Sequence, residues 1–70
     1  MTIYRVGNFY VAARRKGIAV LRVANPDVAP RSTRGRGVTK VAEYPVAHWG
    51  RERAVRAAVK AATRFTIMEL

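Results

Sequence analysis

The groups on this chain with a capacity for chemistry are cationic. Fourteen Lys and Arg stand against four Asp and Glu, for a net charge of +10, and the first acidic residue is Asp27. Guanidinium groups can bridge guanine O6 and N7 or clamp a phosphate with two bonds. A compact domain carrying this much self-repulsion points to a polyanionic partner. The residue types that catalysis needs are thin by comparison. Asp27, Glu43, Glu52 and Glu69 stand singly, His48 is the sole histidine, there is no cysteine, and Ser32 has no evident activating base. No general acid-base pair, nucleophilic dyad, zinc site or disulfide framework can be assembled from these. The expectation is a binding protein and not an enzyme, with no cofactor and no metal.

Seventy residues make one domain at most, and a chain of this size buries about 60% of the surface it exposes when unfolded. Half of the residues are hydrophobic, too many for a disordered basic tail. The apolar stretch Gly17 to Leu21 is interrupted at Arg22, so neither a signal-peptide core nor a membrane span is expected. The setting expected for such a protein is a bacterial host cytoplasm or nucleoid.

The elements that must position the cations follow from period and turn chemistry. Ile3 to Val6 and Phe9 to Arg14 are β-branched and aromatic runs separated by Gly7-Asn8, which closes a hairpin. A turn at Arg15-Lys16-Gly17 leads into a third strand, Ile18 to Ala24. Asn25 to Gly37 holds two prolines, two glycines and three arginines without periodicity, and reads as a mobile basic loop. Val38 to Val46 resumes as a strand that ends, or lies at an edge, because of Pro45. Arg51 to Phe65 is rich in Ala, Arg and Lys and predicts a helix. Its apolar side carries Ala54, Val55, Ala58, Ala61, Ala62 and Phe65, and Arg53, Arg56, Lys60 and Arg64 line the other. Residues 66–70 form an apolar tail. The fold class expected is α+β, with a three- or four-stranded antiparallel meander packed against one C-terminal helix.

Alternation across the sheet assigns the faces. Val6 opposite Phe9 puts Tyr4, Val6, Phe9, Val11 and Ala13 on the core face, leaving Arg5, Tyr10, Ala12 and Arg14 outside. Pairing Arg14 with Ile18 adds Ile18, Val20 and Arg22 to the outer face, and a one-residue slip reverses that strand. On the last strand Ala42 and Tyr44 point inward, with Thr39, Val41 and Glu43 outward.

The meander followed by a helix, Gly7 to Gly17 (GNFYVAARRKG) and Tyr44 to Ala54 (YPVAHWGRERA) with Ala58 four residues on, together resemble the APETALA/ethylene-response-factor type DNA-binding domain. The likeness is greatest to its divergent phage, mobile-element and homing-endonuclease versions. The resemblance covers about two-thirds of the chain. It implies a sheet docked in the DNA major groove, with Arg5, Tyr10 and Arg14 contacting bases and phosphates and a basic turn at Lys16. It also implies a phage or mobile-element regulator or recombination accessory. The run Ile18 to Gly37 departs from the family's tight turn and short third strand; Arg22 and Thr39 join the candidates by face assignment alone. Arg31, Arg34 and Arg36 of the loop are placed to reach a phosphate backbone or a minor groove. The helix stripe reads first as a solvated face, with a grip on the phosphates beside a groove or on an acidic partner as the alternatives, Glu52 as the i,i+4 partner of Arg56, and Trp49 as a core or hinge anchor whose ring, if exposed, could stack on a base.

Duplex DNA is thus the expected partner, with an acidic protein or double-stranded or ribosomal RNA as alternatives. The double-stranded-RNA-binding domain has a similar sheet-then-helix order but needs an N-terminal helix, which Thr2 to Val6 does not resemble. A contiguous apolar patch of Ile18, Val20 and Val41 is the feature that would favour a protein groove. The sequence leaves the oligomeric state open.

Overall fold

The computed structural model describes residues 1–70. Four strands, β1 (Thr2–Val6), β2 (Phe9–Ala13), β3 (Gly17–Val23) and β4 (Val38–Pro45), form one antiparallel sheet in sequence order. A short helix, α1 (Val46–Trp49), and a long one, α2 (Arg51–Met68), follow. The architecture is α+β, a four-stranded meander packed against a C-terminal helix. No helix is long and apolar enough to cross a membrane.

The helix lies on the sheet through its smallest residues. Ala54, Ala58 and Ala62, spaced by four, are fully buried against Phe9, Val11, Ile18 and Val20. Tyr4, Val6, Ala42, Tyr44, Val55 and Phe65 close the edges of this layer. At the far end the Phe9 and Phe65 rings meet with centroids 5.5 Å apart. The helix runs three residues beyond its expected end at Phe65, so the apolar tail is largely its last turn.

The Gly7-Asn8 hairpin pairs Val6 with Phe9 as its two-residue turn requires. Gly7 has φ of 63° and Asn8 a negative φ, as in a type II′ turn. The second hairpin corrects the register expected from sequence. Its connection is the two-residue step Arg15-Lys16, with the Arg14 amide donating to Gly17 O at 3.0 Å, and Ala13 rather than Arg14 lies opposite Ile18. That one-residue slip turns β3 over: Ile18, Val20 and Arg22 face the helix, and Ala19, Leu21 and Val23 face away. Gly17 does not adopt a positive φ. A side chain there would instead meet Glu43 and Arg14, whose groups lie 3.3 and 3.7 Å from the Cβ position.

Strand β4 carries a second correction. Ala42 pairs with Val20 but Lys40 with Leu21, so Val41 is an extra residue at a bulge. Beyond it the alternation inverts. Thr39, opposite Arg22, lies on the helix side, and Lys40 takes the outer position.

The outer sheet face is itself a small core. Tyr10, Ala12, Ala19 and Leu21 are buried there, with Ile3, Val23 and Val38 packed around them. The loop after β3 returns to this face and carries its own turns, Val28 N–H to Asn25 O at 3.0 Å and Val38 N–H to Gly35 O at 3.2 Å, and Ala24 N–H to Gly37 O at 2.8 Å closes its two ends.

Gly7 and Gly17 make opposite demands on a Cβ. At Gly7 it would overlap Thr66 Oγ1, which is already held by the Asn8 amide and Ala62 O, and the backbone is left-handed. Gly7→Ala should therefore lower stability by about 1–3 kcal/mol in urea unfolding. Gly17→Ala meets two movable side-chain tips and, at an ordinary contact distance of 3.7 Å, the Tyr44 carbonyl, so it should cost clearly less; equal losses would refute the assignment.

Candidate nucleic-acid interface

The outer face places Arg5, Tyr10 and Arg14 together, as their alternation requires, but holds each of them within the protein. The Arg5 guanidinium donates to Asp27 Oδ1 at 3.1 Å and to Gly7 O at 2.7 Å. Tyr10 is 4% exposed and its hydroxyl donates to Pro26 O, anchoring the β3–β4 loop. Arg14 pairs with Glu43, and its Nε is buried without a partner, so the side chain lies down on the sheet instead of projecting from it. Lys40 reaches the same carboxylate at 3.0 Å.

Arg22 and Thr39 stand apart from this set, on the helix side, for the register reasons given above. Arg22 lies over the Phe9 ring, 5.4 Å from its centroid, and pairs with Glu69 at the end of α2. The sequence missed these contacts because Glu69 is distant along the chain. Only the Glu52–Arg56 pair, 3.1 Å apart, was readable from i,i+4 spacing.

The pairing has a simple consequence for charge. Every acidic side chain is engaged: Asp27 with Arg5, Glu43 with Arg14 and Lys40, Glu52 with Arg56, Glu69 with Arg22. Of fourteen cations, nine have no carboxylate partner. They fall into three groups. Arg15 and Lys16 occupy the β2–β3 turn, beside Arg51, whose guanidinium donates to Arg14 O at 3.1 Å. Arg31, Arg34 and Arg36 occupy the exposed loop at the opposite end of the sheet. Arg53, Lys60 and Arg64 lie along the outward side of α2, with the ion-paired Arg56 among them.

That third group borders a groove of about 420 Å³ between α2 and the end of β4. Its floor is Ala57 and Ala61, one turn apart, and its end wall is Tyr44 and Trp49. The two rings meet edge to face at 5.3 Å and 85°. Trp49 is fixed there by a break in the helix at Gly50, which has φ of 76° and ψ of 150°, a conformation open to glycine. Trp49 is 39% exposed, so it anchors the chain reversal without entering the core. No acidic residue lines the groove, and no three of His, Asp and Glu come together elsewhere. The stripe on α2 was visible in the sequence, but its standing beside a concave aromatic wall was not, since that depends on how β4 turns into the helix.

No family model matches the chain, and no curated protein and no solved structure is similar to it at a significant level.

If the Tyr10 hydroxyl is what ties the loop down, Tyr10→Phe should lose about 1 kcal/mol of stability. Trypsin should then cut at Arg31, Arg34 and Arg36 several-fold faster under native conditions. Unchanged cleavage would mean that the loop is held by something else.

Proposed function

We propose that the protein binds duplex DNA through the outward face of α2 and the adjoining β2–β3 turn, and acts by occupying DNA and not by catalysis. The observation that carries this reading is the complete engagement of the four carboxylates by five cations. Of the nine cations it leaves uncompensated, Arg15, Lys16, Arg51, Arg53, Lys60 and Arg64 adjoin on the helix and the β2–β3 turn, while Arg31, Arg34 and Arg36 lie on the loop at the opposite end of the sheet. The outer sheet face is the poorer candidate. Docking there would require Arg5 and Arg14 to leave their carboxylates and Tyr10 to leave the loop.

Scale supports the helix face. A helix with its side chains is about 10–12 Å across, and the B-DNA major groove is about 12 Å wide. Arg53 to Arg64 span about 16 Å of helix axis, along which duplex DNA presents about ten phosphate charges. The major groove of duplex RNA is too deep and narrow for the same approach. The apolar patch that would favour a protein groove is not formed, because Ile18 and Val20 are fully buried.

Fluorescence anisotropy against duplex DNA, duplex RNA and single strands over a salt series tests this reading. Duplex DNA should bind tightest, with a log-log salt slope near −5 for about six neutralised phosphates. Lys60→Ala and Arg64→Ala should each weaken binding several-fold and flatten the slope by about 1. Arg5→Ala should change affinity less than about twofold, since Arg5 lies on the outer face of the sheet, away from α2. A salt-insensitive complex, or equal losses at Arg5 and Lys60, would overturn the helix-face reading.

A further inference from the structure

The groove beside α2 has a composition that phosphate binding alone does not explain. Phosphates call for cations on a ridge, and Arg53, Lys60 and Arg64 supply them. The remaining lining is Arg56, which is paired with Glu52, two alanines and a two-ring wall. Trp49 is the chain's one tryptophan, it is more than a third exposed, and it is the one aromatic residue among the exposed large apolar side chains. Such a ring costs free energy in water and is restored by an apolar face laid against it. A planar, aromatic and anionic occupant satisfies both the wall and the rim.

We infer that this groove takes one unstacked nucleotide of the bound DNA, with its base against Trp49 and its flanking phosphates on Arg53, Lys60 and Arg64. The inference rests on the DNA-binding reading above. Three features support it. First, no carboxylate lines the groove to repel a phosphate, and the nearest acid on the helix, Glu52, is occupied by Arg56. Second, Ala57 and Ala61 are small enough to leave room for a ring, whereas longer side chains at those positions would fill the space. Third, Tyr44 braces Trp49 from the side at 85°, which holds the indole in place before any ligand arrives.

A fully paired duplex offers no base face to such a groove, because every base is covered by its neighbours in the stack. Extruding a base has an unstacking cost, and that cost is least where the base is already unpaired. The site therefore discriminates between intact DNA and DNA carrying a bulge, flap or other unpaired base. The α2 cations hold the neighbouring backbone in either case.

The test compares a short intact DNA duplex with the same duplex carrying one unpaired thymidine, using anisotropy for affinity and Trp49 emission for contact. The bulged duplex should bind about tenfold tighter, the effect of one aromatic stacking contact, and only the bulged duplex should quench Trp49. Trp49→Ala and Ala57→Leu should each abolish the preference, and Trp49→Phe should retain part of it. Ala57→Leu fills the groove without removing a helix former, so it carries the test if circular dichroism shows that Trp49→Ala has unfolded. Equal affinity with unquenched tryptophan overturns the groove assignment and leaves duplex binding standing. A preference that survives Ala57→Leu overturns it too, by placing the unpaired base elsewhere. Binding to neither duplex at low salt overturns both readings, and quenching by an acidic peptide but by neither duplex assigns the groove to a protein.

Discussion

A helix can lie close on a sheet only where the residues between them are small, and α2 meets that condition with Ala54, Ala58 and Ala62. These three side chains are wholly buried, and the layer they touch is built from Phe9, Val11, Ile18 and Val20. A larger residue at any of them would push the helix off the sheet or force the partner side chains out of their rotamers. The same stripe fixes the rotation of the helix. With the alanines inward, Arg53, Lys60 and Arg64 must face outward, Ala57 and Ala61 must border β4, and Thr66 must reach the Asn8 amide. The outward basic face is thus a consequence of the packing surface on the opposite side of one helix.

A seventy-residue chain has little interior, and this one uses both faces of its sheet. The second layer is shallow: Ala12 and Ala19 lie opposite one another on the central strands, with Tyr10 and Leu21 beside them. Polar groups close it. Arg14, Lys40 and Glu43 form a linked set at one end, and Arg5, Asp27 and the Tyr10 hydroxyl tie the loop down at the other. Surface ion pairs of this sort contribute little each, about 0–1 kcal/mol. Their role in the reading above is to decide which cations are committed.

The strands, the helix and their order were legible because each is a local signal: alternation bounded by Gly7-Asn8, a proline at position 45, an alanine-rich run after Gly50. The faces of β1 and β2 followed from one turn. The face of β3 did not, because Arg15-Lys16-Gly17 can close as a two- or a three-residue connection, and the choice moves every later side chain across the sheet. The bulge at Val41 is illegible for a similar reason; it depends on matching β4 to β3 and leaves no mark in composition. These two events account for Arg22 and Thr39 lying on the helix side. The resemblance drawn from Gly7 to Gly17 and Tyr44 to Ala54 spoke to the meander and the helix, and was silent on the loop that returns to the outer face.

Counting cations therefore says less than asking where the few anions are. With four carboxylates in the chain, each placement removes one or two positive groups from the set available to a partner. Three of the four fall outside the helix stripe. Asp27 and Glu43 sit on the outer face and neutralise the arginines that the sequence makes most prominent, Arg5 and Arg14. Glu69 does the same for Arg22. Glu52 lies in the first turn of α2, where it suits the helix dipole and engages Arg56 alone. The rest of that helix carries no acid until Glu69, so its outward side keeps its charge. A basic chain keeps its positive charge where its own acidic residues do not reach, and in this fold those places are the helix face, the turn beside it and the β3–β4 loop, while the outer face of the sheet has its arginines paired.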